Sequence, residues 1–417
     1  MGQELRETAG AGCPFAYDPF SLEAMTNPLP LYAVLREAHP AYYMPQYDAW
    51  AISRFADVWD GLLDSKNFSE VEGQLIAREK MLEHHHGAPA PASVDPLAPF
   101  PMLDGAVHTR VRQMMAPPLL KPAINRMEPL ITALATERLK YLAERGQFDI
   151  SVDFAAYVSA GAVSHIVGLT PEDVPEVVRL VAIAMARAPG QSGFTAAGGQ
   201  AFAELSAMLV HAVANRRQGR GHAVPLIDAF FVKGVNDRLL SDQEIAGHLV
   251  SILIGGAETV PKLVSGGVLE LLRSPRQLAE ISADPQAHVP IAVEEMLRYN
   301  APAQWFARTA IRARDLAGAT IRPGQRVVLL TASANRDPRE FEDPDRFIWN
   351  RRTRRLLSFG IGPHFCIGIH LARLEMQVML REILPWLPRC RADEAAGAWS
   401  ISEFQIGWTS LPIRIAA

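Results

Sequence analysis

Cysteine is scarce in this chain. Only Cys13, Cys366 and Cys390 occur in 417 residues. So odd and sparse a set excludes a disulfide framework and points to a reducing compartment, hence a cytoplasmic protein. Charge of one sign is also lacking: the formal net charge of −4 gives no electrostatic reason to expect a nucleic acid partner. No Gly/Ser-rich or charged linker divides the sequence and no internal repeat is present. The chain therefore reads as a single domain over 1–417, with a poorly defined segment at 1–25. The stretch from Met1 to Pro19 is polar and has no apolar signal core. No run reads as long enough to span a bilayer. The apolar fraction of 49% is ordinary for a globular protein with a large core.

Against that scarcity, Cys366 has unusual surroundings, the run Ser358-Phe359-Gly360-Ile361-Gly362-Pro363-His364-Phe365-Cys366-Ile367-Gly368. Glycines allow backbone angles denied to other residues and leave room for close approach. The segment Ile369 to Met379 reads as a helix, which puts Cys366 beside a positive helix N-terminus. That position favours the thiolate, the form that binds metals. Backbone N–H groups after Cys366 would hydrogen-bond the sulfur and tune its electron donation.

The remaining pattern is largely helical. Pro28 to His39 reads as a helix, Tyr42 to Phe55 as a hairpin turning near Gln46-Tyr47-Asp48, and Glu70 to Pro101 as irregular. Met127, Leu130, Ile131 and Leu134 predict a core-facing helix. Two helical stretches, near Glu172–Ala188 and Gln200–Arg217, flank a loop with Pro189, Gly190 and Gly193, and Val327 to Leu330 reads as a strand. Ser241 and Glu244 form a capping box that opens a helix running to about Leu272, roughly 45 Å long. Ile252, Gly255, Gly256 and Thr259 share one face of it. The paired glycines predict a notch before Thr259, and Pro261 predicts a kink that frees the Ala257 carbonyl. A packing kink is the alternative reading.

The cysteine run resembles the haem-ligand loop of the cytochrome P450 family, Phe-Gly-x-Gly-x-His-x-Cys-x-Gly, with every fixed position met between Phe359 and Gly368. Other family landmarks follow in order. They are His108-Thr109-Arg110-Val111-Arg112, Gly255-Gly256-Ala257-Glu258-Thr259, Glu295-Met296-Leu297-Arg298 and Ala334-Asn335-Arg336-Asp337-Pro338. The resemblance extends from about Asn27 to the C-terminus. It implies a mainly α fold with a smaller β-rich region, and haem b (iron protoporphyrin IX) between the long central helix and the cysteine-loop helix. The implied activity is a monooxygenase acting on a lipophilic terpenoid, steroid or aromatic molecule with O2 and a separate ferredoxin-type donor. A peroxide-driven enzyme, a coupling or ring-forming oxidase, and a non-catalytic haem-based sensor are the alternatives.

The resemblance also assigns roles. Cys366 is the iron ligand. His108, Arg112, Arg308 and His364 match propionate contacts, and Gly256, Phe359 and Gly368 border the cofactor. Glu258 and Thr259 match the acid–alcohol pair that manages protons, with Glu258 standing where many relatives have Asp. Ile252, Ala303, Gln304, Trp305, Phe306 and Phe404, with part of Leu75–Phe100, match the substrate pocket, Gln304 being the candidate polar selector. Glu295 and Arg298 match a buried structural pair, with Arg351 or a neighbour completing it. Arg351, Arg352, Arg354 and Arg355 fall where acidic donors dock, or form a solvated loop. The His84-His85-His86 run reads as a loop near the pocket entrance; adjacent histidines seldom converge on one metal ion.

Overall fold

The computed structural model describes residues 15–83, 98–235 and 238–416. The N-terminal end of this span is better anchored than its polarity predicts. Tyr17, Phe20 and Met25 are buried, and Ser21 caps a helical turn over Leu22–Thr26. Helix α1 (Leu29–Ala38) begins just after Pro28, where a missing N–H costs nothing. Strands β1 (Ala41–Met44) and β2 (Ala49–Ile52) follow as the predicted hairpin, and Asp48 takes the left-handed conformation at φ 44° in its turn. With β3 (Phe68–Ser69), β4 (Phe306–Ala310) and β5 (Arg326–Leu329) they make a five-stranded sheet ordered β1-β2-β5-β4-β3. Only β2 and β5 pair in parallel, Trp50 opposite Val327. The strand predicted at Val327–Leu330 is thus a central one, buried at every position.

The helical part carries most of the core. Helix α2 (Gly105–Met115) precedes α3 (Glu128–Ala143), whose buried stripe is Ile131, Ala135, Leu139 and Leu142. Of the predicted stripe only Ile131 is fully buried; Leu134 fits beside Gly161 on the flank. Helix α4 (Ala156–Val167) is buried nearly all round. Helices α5 (Val174–Met185) and α6 (Ala196–Arg217) bracket the predicted loop at 186–195.

Helix α7 (Asp242–Arg273) organises this region. Its capping box is closed in both directions: Ser241 Oγ accepts from Glu244 N at 3.3 Å, and Glu244 accepts from Ser241 N at 2.7 Å. Helical structure continues through Pro261. It packs on α4, α6 and, further on, α9 (Ile369–Ile383), with α8 (Pro285–Tyr299) alongside. Contrary to the reading that no run could span a bilayer, Ile150–Val167 and Asp242–Arg273 are long and apolar enough by composition. Both are largely buried within the fold, 72% and 67% of the respective windows.

Candidate functional site

The cysteine loop is held by its own backbone. Cys366 N donates to the Phe359 carbonyl at 2.9 Å and Phe365 N to the Gly362 carbonyl at 3.0 Å. Gly362 sits at φ 84°, and a Cβ there would lie 2.8 Å from the Leu62 carbonyl oxygen, so only glycine fits. Gly368 contributes its N–H to the Cys366 sulfur, as expected for a residue opening α9. The thiol nevertheless departs from the sequence reading, which has the helix end lowering its pKa. Burial pushes the Cys366 thiol up, and the Gly368 N–H, Arg112 and Arg373 offset only part of that. The charge that would settle the thiolate here is that of a bound metal.

Four cation-type side chains converge beside this loop. Arg112 of α2 donates to the Phe365 carbonyl at 2.6 Å, and burial lowers its pKa while the Cys366 sulfur opposes the shift. His108 stacks on His364 with ring centroids 4.0 Å apart and on Phe100 at 5.1 Å. Its Nε2 is buried with no hydrogen-bond partner, and burial first, then the nearby His364 and Arg112, lower its pKa to about 4. Arg308, on β4, is buried and ion-paired to Glu70. His364 stands between two carboxylates, Nδ1 to Glu70 at 3.0 Å and Nε2 to Asp104 at 3.0 Å. Glu70 and Asp104 belong to no motif that sequence alone would single out. Burial pushes the Asp104 carboxyl up, but hydrogen bonds from His364, Ser69 and the Glu70 N–H outweigh it and hold it low.

On α7 the two glycines separate. The helical spacing predicts both on the open face; instead a Cβ at Gly256 would lie 2.8 Å from Val163 Cγ2, so Gly256 seats α7 against α4. Gly255 is exposed, a Cβ there would meet nothing within 4 Å, and it supplies the opening. Thr259 lies one turn on and its hydroxyl donates to the Gly255 carbonyl at 2.9 Å. Glu258 points about 100° round the helix from Thr259. It is paired with Lys262, both side chains buried, while its second oxygen has no partner. The pair borders a cleft of about 410 Å³ walled by Val178, Val181, Met185, Trp399 and Ile401. Acid and alcohol thus occupy neighbouring faces of one helix turn.

The substrate-pocket set is only partly available. Gln304, the predicted selector, is fully engaged by the protein. Its Oε1 accepts from the Tyr32 hydroxyl at 2.6 Å and its Nε2 donates to the Ser402 carbonyl at 2.7 Å. A side chain so committed cannot read a ligand, so Gln304 is a structural residue and not the polar selector that the resemblance implies. Ala303 is buried and bridges Gln405, and Trp305 is buried in the core beneath β4. Phe306 and Phe404 are half-buried, their rings 6.1 Å apart, and Trp305 meets Phe404 edge-on at 6.2 Å. Ile252 is half-buried on α7.

Glu295 and Arg298 are both fully buried and joined at 2.7 Å. Arg298 also donates to the carbonyls of Asn335 and Pro344, and Arg351 reaches Glu295 at 3.1 Å. Arg351 is therefore internal and drops out of the predicted docking patch. Arg352, Arg354 and Arg355 are all exposed, Arg355 being paired with Glu340 and lying over Phe55 and Trp59. Cys390 is buried, with its thiol pushed up to about 11 by burial. Cys13 and His84–His86 lie outside the described residues.

A thiol on a glycine loop, an orphaned buried imidazole nitrogen and buried guanidinium groups fit an anionic, metal-bearing macrocycle. The comparisons agree. The family model described as Cytochrome P450 matches residues 194–386. A protein named putative cytochrome P450 123 of Mycobacterium tuberculosis is 31% identical over 401 residues, covering 96% of this chain and 97% of that one. Among solved structures, cytochrome P450 CYP109Q5 from Chondromyces apiculatus superposes with a TM-score of 0.80 at 28% identity, covering 96% and 98%. A mutant of P450 EryK in complex with erythromycin B superposes with a TM-score of 0.80 at 27% identity, covering 95% and 98%. The chain belongs to the cytochrome P450 family. It is a haem-dependent monooxygenase by class, using O2 and electrons from a redox partner.

Proposed function

We propose that the protein inserts one oxygen atom from O2 into a lipophilic small molecule of terpenoid, steroid or aromatic type, with electrons from a separate ferredoxin-type donor in the cytoplasm. The observation that carries the reading is the assembly of Cys366 with Arg112, His108, His364 and Arg308 on one side of a loop closed by its own hydrogen bonds. Haem b, bound there, would supply oxygen activation, with the Cys366 sulfur holding its iron. Arg112 and Arg308 would hold its propionates through planar guanidinium forks.

The chain's own residues do the rest. Thr259 offers a hydroxyl on the open face of α7, anchored through Gly255, to orient a proton donor. Glu258, buried at the edge of the neighbouring cleft, takes protons from that cleft and passes them around the helix turn; Lys262 fixes its position. Phe306 and Phe404 offer aromatic surface that favours an apolar substrate and excludes water. A relative named beta-dihydromenaquinone-9 omega-hydroxylase, from M. tuberculosis, is 29% identical over 96% of this chain and 78% of its own, and the EryK structure above holds erythromycin B. The test is optical titration of the ferric enzyme with a compound panel. Terpenoids, steroids or fused aromatics are expected to shift the spin state at micromolar concentration; a response confined to polar acids would refute the substrate class.

A further inference from the structure

Glu70 is a carboxylate where the cofactor's carboxylates are meant to go. It is buried, ion-paired to Arg308 and 3.0 Å from His364, which are two of the four side chains assigned to the propionates. Gln74 Nε2 donates to Glu70 Oε2, the oxygen that also faces His364, while Arg308 pairs with Oε1. The charged and titratable groups facing it are Arg308 from β4, His364 from the cysteine loop and Asp104 from the turn before α2. Arg308 is a cation, His364 is an imidazole between the two carboxylates, and Asp104 is a further anion. Burial already raises the Glu70 carboxyl, with Arg308 and His364 opposing and Asp104 reinforcing. Haem propionates held by the same residues would add like charge beside Glu70, which favours the protonated acid further.

We propose that Glu70 is a positioning residue of the propionate cradle, and that it must carry a proton for the haem carboxylates to seat between Arg308 and His364. Protonated, it donates a hydrogen bond where its anion would repel. Haem retention is then linked to proton binding. The group binds protons more tightly with haem present than without, so affinity is fully present at low pH and falls as pH rises, by at most tenfold per pH unit for one proton. The inference rests on the assignment of the four cradle residues.

The experiment follows haem transfer from the holoenzyme to excess apomyoglobin, from pH 6 to 9, for wild type, Glu70→Gln and Arg308→Gln. Other groups also titrate, so the ratio of wild-type to Glu70→Gln loss rates is the reading. The proposal expects that ratio to grow with pH, the variant retaining haem longer, and expects Arg308→Gln to lose haem faster at every pH. A ratio constant across pH, or faster loss from Glu70→Gln, overturns the role of Glu70 while leaving the cradle intact. Unchanged loss from Arg308→Gln overturns the cradle assignment and the proposal with it. Spectroelectrochemistry gives a second readout. The wild-type reduction potential should fall more steeply with pH than that of Glu70→Gln, and parallel slopes would contradict the proposal.

Discussion

At the residue scale, the sites of chemistry are side chains whose surroundings leave something unfinished. His108 Nε2 lacks a partner, the Cys366 thiol is raised by burial, and Glu258 keeps one oxygen free. Not every such residue is functional. Glu375 on α9 is completely buried, and burial lifts its carboxyl well above the usual range, Ser159 of α4 offsetting only part. The sign follows directly. The native state holds this proton more tightly than the unfolded chain, so stability is greatest below the ordinary pKa of 4.5 and declines as pH rises through the elevated one. The slope is up to about 1.4 kcal/mol per pH unit. Glu375→Gln should remove that decline. Urea midpoints between pH 5 and 8 would show it as a flatter profile for the variant, and parallel profiles would contradict it.

At the scale of elements, α7 shows how far the sequence could be read. Its start was legible because a capping box is a local hydrogen-bond pattern, written in Ser241 and Glu244 alone. The division of labour between Gly255 and Gly256 was not legible, because it depends on where Val163 of α4 arrives. The same holds for Gln304. Its polar side chain in an apolar run suggests a ligand contact, yet Tyr32 and Ser402, distant in sequence, use it up. Substitution separates the glycines. Gly256→Ala should cost about 1–3 kcal/mol by crowding α4. Gly255→Ala should leave stability unchanged or raise it by up to about 1 kcal/mol, alanine being the better helix former, while changing ligand-induced spectra. Thermal melts alongside ligand titrations would distinguish them; equal destabilisation by both would contradict the placement of the opening.

For the whole molecule, the fold and its cofactor class could be read from spaced motifs, since each motif is short and its spacing survives any folding. The connections between motifs could not. Glu70 and Asp104 approach His364 from a loop and a helix start with no pattern of their own. Arg351 carries two readings in the sequence, docking charge and partner of the Glu295–Arg298 pair, and its 3.1 Å bond to Glu295 decides for the second. Of the basic run, Arg352, Arg354 and Arg355 stay exposed, Arg355 already paired with Glu340. The central claim is that all of this surrounds a haem ligated by Cys366. It is tested most directly by the carbon monoxide difference spectrum of the dithionite-reduced protein, wild type against Cys366→Ala. The account predicts a strongly red-shifted Soret band in wild type and none in the variant. Haem-loaded, folded wild type without that band would contradict it.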